Sequence, residues 1–405
     1  MTQGTSLEEM GPVRAGPGKR AEVLRWVNRL GPMAGLLLVY GFFAVVGPKT
    51  FSSRNSMETM ARQTVIVGMA AIGMTVVMIS GGIDLSVGSV VGFSAATTAW
   101  LMRYKGFSPL EAAGGGILAA MLCGLLTGLL ITRLRVVPFI ITLGMMLVAR
   151  GAVIGVTRGQ KVDATPHWLK ELTASPGIPI FWPPVVTTVQ LVMGPVASLL
   201  VLAAGLIRLI RLIRAARARR PWALALNMGA TALVTVLGMW AAWRAHWYLL
   251  TIPGILLTVV LAFLMWGILR YTRLGRHTFA VGSNELTARL CGVPVDRVKI
   301  IAYTLNGFFG GVAGIMTFAY VSGQVEAYAG QNLELTVIAA VVIGGGSLSG
   351  GEGSIFGMLM GALIMTVIEY GCTQMDLSKW VQQMVTGVII VLAVTLDRLR
   401  HRMTT

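Results

Sequence analysis

Residues 111–132 read Glu111-Ala-Ala-Gly-Gly-Gly-Ile-Leu-Ala-Ala-Met-Leu-Cys-Gly-Leu-Leu-Thr-Gly-Leu-Leu-Ile-Thr132. Beyond Glu111 the run holds no charge. As a helix it would be about 30 Å long, the thickness of a bilayer's hydrocarbon core. It therefore predicts a helix that crosses a membrane. Gly124 and Gly128 stand four apart, on one face. Small residues at that spacing let helix backbones approach closely, which is how helices pack once lipid removes the hydrophobic driving force. The run predicts a packed span in a bundle rather than a lone anchor.

Comparable apolar runs lie at 33–48, 63–80, 85–102, 138–157, 186–207, 222–243, 247–267, 300–320, 335–346, 353–371 and 380–396. Together they predict an all-α polytopic membrane protein with about ten to twelve transmembrane helices. The runs at 33 and 335 are short for a full crossing, and 335–346 reads as a half-helix. Composition agrees, since 55% of the 405 residues are hydrophobic and only 12% are charged, against about 25% charged in a soluble domain. An ordinary soluble enzyme is excluded. The organisation read from the runs is a tail at 1–32, a transmembrane unit at 33–397 and a tail at 398–405. Within the unit lie a two-helix, arginine-rich insertion near 190–245 and a polar loop at 269–299. The first 30 residues lack the early apolar core and small-residue cleavage site of a secretory signal, so the first span is expected to be retained.

The net charge of +17, from 33 Lys and Arg against 16 Asp and Glu, would suggest nucleic acid in a soluble protein. In a membrane protein cationic loops are instead kept on the cytoplasmic side, beside anionic lipid. Alternating the loops from a cytoplasmic N-terminus places 22 cations inside and 10 outside. Both termini are therefore expected in the cytoplasm, with membrane lipid rather than nucleic acid as the partner of this charge.

Further glycines stand four apart at Gly307 and Gly311, at Gly310 and Gly314, and along Gly353, Gly357 and Gly361, again predicting close helix packing. Two clusters differ because they interrupt apolar runs: Gly81-Gly82-Ile83-Asp84-Leu85-Ser86-Val87-Gly88-Ser89, and Gly344-Gly345-Gly346-Ser347-Leu348-Ser349-Gly350-Gly351. Irregular backbone at membrane depth needs protein or water to satisfy it, so both read as broken or reentrant elements beside a pathway. A tight cytoplasmic turn with glycine at positive φ is the plainer alternative. Asp84, Ser86, Arg150, Glu334 and the Gly344, Gly345, Gly346, Ser347 segment are the pathway or gate candidates. An ionisable group among spans is costly unless paired or hydrated, and Arg150 with Asp84 or Glu334 would make such a pair. Glu334 and Glu369 at helix ends in water are the alternative.

Catalytic and metal chemistry finds no footing. Cys123, Cys291 and Cys372 are too widely spaced for a zinc site or disulfide framework. His167, His246, His277 and His401 are scattered, with no H-E-x-x-H or G-x-S-x-G pattern. Gly18-Lys19 is followed by Arg20 and lacks the upstream glycine of a phosphate loop. No catalytic residue, metal ligand or cofactor of its own is expected.

In the loop at 269–299, Asn284 can cap a short helix, Glu285 suits its positive end, and Gly292 with Pro294 stops it. Leu286 and Leu290 would be apolar knobs with Arg289 offset from them. Either a docking element or a plain surface helix fits. This loop, the 81–89 cluster, Phe139-Ile140-Ile141-Thr142-Leu143-Gly144 with Arg150-Gly151, and Ala339 to Gly351 together resemble the permease subunits of bacterial ABC importers for ribose, xylose and related monosaccharides. The resemblance runs from about residue 50 to 397, and the 190–245 insertion looks most like the xylose branch. It implies the ABC importer permease fold in the inner membrane and a homodimer around a central pathway. It also implies a periplasmic sugar-binding protein outside and a cytoplasmic ATP-binding subunit inside, which holds the ATP and magnesium. Arg276, Asn284, Glu285, Ala288, Arg289 and Gly292 carry over as the coupling residues against that ATPase. Here the chain has Glu285-Leu286-Thr287 where relatives usually have Glu-Ala-Ala, and Gly282-Ser283 where they have a glycine pair. Bulk at Leu286 implies a matched partner surface. The expected cargo is xylose or another pentose. A permease for branched-chain amino acids shares the fold, and an ion-coupled secondary transporter is the further alternative.

Overall fold

The computed structural model describes residues 19–164, 253–321 and 323–404. Among them lie twelve α-helices: α1 Lys19–Val46, α2 Arg54–Ile79, α3 Val87–Lys105, α4 Pro109–Leu134, α5 Pro138–Thr157, α6 Pro253–Tyr271, α7 Arg273–Ser283, α8 Glu285–Leu290, α9 Val295–Tyr320, α10 Leu333–Ile343, α11 Ile355–Gln374 and α12 Lys379–Thr404. A two-residue antiparallel pairing of β1 Val162–Asp163 with β2 Gln324–Val325 is the strand structure described. Each expected apolar run on described residues is a helix. The runs at 186–207 and 222–243, with the arginine-rich loop between them, lie outside the described residues.

Five described helices (α2, α4, α5, α9 and α11) are long and apolar enough to cross a membrane, and the bent pair α6–α7 makes a sixth. α10, at 11 residues, is about 16 Å long and reaches roughly halfway through a bilayer, as a half-helix should. Local chemistry sets the starts. The Ser53 hydroxyl accepts from the Ser56 N–H at the head of α2, and the Ser354 hydroxyl from the Gly357 N–H at the head of α11. α4 and α5 open on Pro109 and Pro138, where a missing N–H costs nothing.

The spans divide into inner and outer ones. The apolar window of α2 is 78% buried within the chain, that of α9 67%, and that of α5 only 22%. α2 and α9 therefore form the centre. α5 presents Phe139, Ile140, Leu147 and Val148 outward, a face that lipid can cover. The α4–α9 contact is the glycine seam expected from spacing. A Cβ on Gly307 would meet the Ala120 carbonyl at 2.5 Å, one on Gly311 the Ile117 Cα at 2.9 Å, and one on Gly128 the Ile300 Cα at 2.9 Å. On the other side, Gly357 and Gly361 of α11 lie against the backbone of Gly344 and Ala340 at α10.

Candidate functional site: a coupling module and its buried clamps

The segment expected as a loop at 269–299 is mostly helical. α6 and α7 meet at a bend of 74°, where the Thr272 hydroxyl accepts from the Gly275 N–H. Arg276, exposed on α7, turns its guanidinium back to the Tyr271 carbonyl at 3.5 Å. α8 follows at once, and its cap is the expected one: Asn284 Oδ1 accepts from the Thr287 N–H at 2.9 Å. Gly292 at φ 79° turns the chain out of it. Ala288 is buried with Val281, Val295 and Val298, which seats α8 on the first turn of α9. The opposite face is bare, with Leu286 70% and Leu290 80% exposed.

Charges brace this seat. Arg289 Nη2 stands 3.0 Å from Asp296 Oδ1 and 3.5 Å from Glu285 Oε1, while Lys299 Nζ donates to Glu285 Oε2 at 2.6 Å. The hydrogen bond that Arg289 donates to Asp296 and then the charge of Asp296, with a smaller contribution from Glu285, raise the Arg289 pKa above its ordinary value. Two of the residues expected to meet an ATPase, Glu285 and Arg289, thus spend their charge within the chain, fixing α8 to α9.

Behind α8, three backbones converge on glycine. A Cβ on Gly282 of α7 would collide with the Ile79 carbonyl at the end of α2 and stand 2.6 Å from the Gly351 nitrogen. That nitrogen donates to the Ile79 carbonyl at 2.9 Å. Gly81 and Gly350, at φ 81° and 85°, complete the junction, since a Cβ on Gly350 would meet both the Gly81 Cα and the Gly282 carbonyl at 2.8 Å. Gly344 packs against α11, Gly345 turns at φ 89°, and Gly346 closes the turn by donating to the Val341 carbonyl at 2.8 Å. Ser347 is buried, and its hydroxyl accepts from the Ser349 N–H. The two sequence clusters that interrupt apolar runs therefore meet each other and α7 at one place.

One turn beyond, Asp84 is buried and clamped. Its Oδ1 accepts from the Ser86 N–H at 2.8 Å and the Ser86 hydroxyl at 2.6 Å, and its Oδ2 accepts from Asn306 Nδ2 at 2.7 Å. Burial of a carboxylate is tolerable when its oxygens are bonded in this way. The clamp ties the α2–α3 turn to the middle of α9. Arg150 pairs with Glu334, not with Asp84: Nη2 to Oε1 is 3.5 Å, between α5 and the first turn of α10. Glu334 is therefore a buried partner rather than a helix end in water, while the half-buried Glu369 accepts from the Thr336 hydroxyl at 2.8 Å. Asn306 was missed because attention to ionisable groups passes over amides. The signal was present, since a lone Asn beside Gly307 inside an otherwise apolar run is costly without a partner.

Residues 56–394 match the family described as "Branched-chain amino acid transport system / permease component". The chain is 32% identical to the ribose import permease protein of Bacillus subtilis, over 92% of its own length and 93% of that protein. It is 30% identical to the ribose import permease protein of Escherichia coli, over 94% and 97%. It is 32% identical to the xylose transport system permease protein of Haemophilus influenzae, over 90% and 94%. No solved structure matches.

Proposed function

Because this chain belongs to the branched-chain amino acid transport system / permease component family, within its ribose and xylose permease group, we propose that it is the membrane-spanning subunit of an ATP-driven importer for a monosaccharide. Ribose and xylose are both pentoses, so a pentose, xylose foremost, is the expected cargo. The chain is a multi-pass membrane protein, and the distribution of its cations supports cytoplasmic termini. Its partners in this reading are a cytoplasmic ATP-binding subunit, which supplies ATP and magnesium, a periplasmic sugar-binding protein and a second copy of itself.

The observation that carries the reading is α8. A two-turn helix with two bare leucines on one side and a buried seat on the other is a rigid knob, shaped to be gripped and to transmit. A neutral sugar gains nothing from the membrane potential, so accumulation must draw on an outside source. ATP-driven motion of a partner gripping Leu286 and Leu290 would push on α9 through the Ala288 seat and the Arg289–Asp296 and Lys299–Glu285 bonds. Through Gly282 it would push on the end of α2 and the Gly350 turn. Those elements hold the centre of the bundle, so the displacement can switch which side the passage opens to.

The test reconstitutes the chain with its ATP-binding subunit and binding protein in vesicles and follows labelled xylose, with ribose and leucine as competitors. ATP-dependent xylose uptake is expected, and competition by ribose but not leucine. Replacing Glu285 and Arg289 together by alanine is expected to release the ATP-binding subunit on purification. Uptake driven by an ion gradient without ATP or partners would overturn the reading, and leucine as the transported solute would move it to the amino-acid branch.

A further inference from the structure

At the end of the bundle opposite α8 lies a cavity of about 590 Å³, within the usual range for small-molecule sites. Gln63 lies on α2, sixteen residues before Ile79, so the cavity is about 24 Å from the glycine junction along that helix. Its chemistry is unlike that of the spans around it. Gln63, Gln331, Asn332, Gln382 and Gln383 bring five side-chain amides to one opening, beside the hydroxyls of Thr373 and Thr386. Their partners are only partly found within the chain. Gln382 donates to the Leu377 carbonyl, and its own Oε1 accepts from Lys379 at 3.4 Å. Gln63 Nε2 donates to the Tyr320 hydroxyl at 3.2 Å, but Gln63 Oε1 is buried with no hydrogen-bond partner among the described residues. Leu333 and Leu335 supply an apolar wall.

Gln63 Oε1 is covered, so the amides a ligand can reach are chiefly those of the exposed Gln331, Asn332 and Gln383. An amide both donates and accepts, as does a hydroxyl, and a set of amides therefore suits a neutral ligand bearing many hydroxyls. The two charged residues at the cavity are already engaged: Glu369 Oε1 by Thr336, and Lys379 by Gln382. We propose that this cavity is a weak, transient subsite for a neutral monosaccharide, which receives the sugar at the mouth of the permease on the side away from the ATPase. The inference rests on the sugar-permease reading and gives it a place on this chain. Weakness is part of the fit, because a passage that held its cargo tightly would slow release.

The test uses the assembled transporter, purified with its ATP-binding subunit but without the binding protein, and observes saturation transfer by NMR to millimolar xylose, ribose and, separately, leucine. Both pentoses are expected to receive signal. Replacing Gln331 and Gln383, two exposed lining residues, by alanine is expected to weaken that binding about fivefold, in line with the loss of one or two neutral hydrogen bonds. Gln63→Leu, which removes the orphaned acceptor, serves as a second variant, and co-purification of the ATP-binding subunit checks that each variant assembles. Pentose signal equal in wild type and all assembled variants, no pentose signal at all, or signal from leucine in place of the sugars would overturn the subsite. Failure of the parent reading looks different: wild-type vesicles with all partners would then import no sugar.

Discussion

Alanine at both Leu286 and Leu290 separates docking from folding, because α8 stands with those side chains 70% and 80% exposed. Nothing among the described residues covers them, so their removal should leave the isolated permease as stable as before, within the roughly 0.5 kcal/mol expected of surface changes. Bound in a partner's groove they would be desolvated. Fully burying a leucine side chain contributes about 1.5–3 kcal/mol. With seven- to eight-tenths of each still in water, the pair has about 2–4 kcal/mol left to gain, on the order of 30- to 1000-fold in affinity. The assay is titration of purified ATP-binding subunit onto the permease in lipid discs, with the melting temperature of the permease alone as control. Weakened association at an unchanged melting temperature is expected. Equal affinity for wild type and variant would refute docking through the bare face of α8. A fall in melting temperature that accounts for the lost affinity would mean that the leucines pack within the chain, contrary to their exposure.

Gly282→Ala places a Cβ against the Ile79 carbonyl and the Gly351 nitrogen. Overpacking of about 1–3 kcal/mol, with strain on the Gly351–Ile79 hydrogen bond, should lower the melting temperature and uncouple ATP hydrolysis from uptake. Gly155→Ala in α5, where nothing among the described residues stands within 4 Å, should do neither. Arg150→Ala leaves Glu334, with its side chain 7% exposed, without its cation. Because Arg150 is itself a quarter exposed, the cost should fall near the low end for a broken buried pair, about 3 kcal/mol. Adding Glu334→Gln to that variant should recover part of the loss in thermal unfolding, and no recovery would mean that the pair is not the cause.

The helices were legible in the sequence because a membrane span is a composition signal. Length without charge locates it, and neither needs knowledge of neighbours. The Asn284 cap and the α4–α9 glycine seam were legible for a related reason, since each is a spacing rule within one helix. What escaped depends on partners far apart in sequence. That Arg150 meets Glu334 and not Asp84 is decided by α10 and α5 both packing on α3, which no local pattern encodes. The helix α7 was hidden inside an apparent loop because its polar face hides the apolar stretch, and its use appears only when Gly282 is seen against Ile79 and Gly351. The amide cavity was invisible for the opposite reason. Gln63, Gln331 and Gln383 are unremarkable singly and carry meaning only as a set.

The arrangement also explains why carboxylates are tolerated in a chain proposed to pass an uncharged solute. Asp84 and Glu334 are both buried within the chain. Asp84 spends three acceptor sites on Ser86 and Asn306, and Glu334 is held beneath α3, where a Cβ on Gly88 would strike it. Each is a clamp between elements that hydrophobic packing alone could let slide, because lipid and leucine are equally apolar and offer little preference for one register over another. A buried ionic or amide contact has a defined geometry and a high cost when broken. Placed at the α2–α3 turn and at the head of α10, such contacts tie α2 and α3 to α9, and α10 to α5. The glycine junction has no side chains to interlock. Motion delivered by α8 should therefore be taken up at Gly81, Gly282 and Gly350, while Asp84–Asn306 and Arg150–Glu334 carry it onward without yielding.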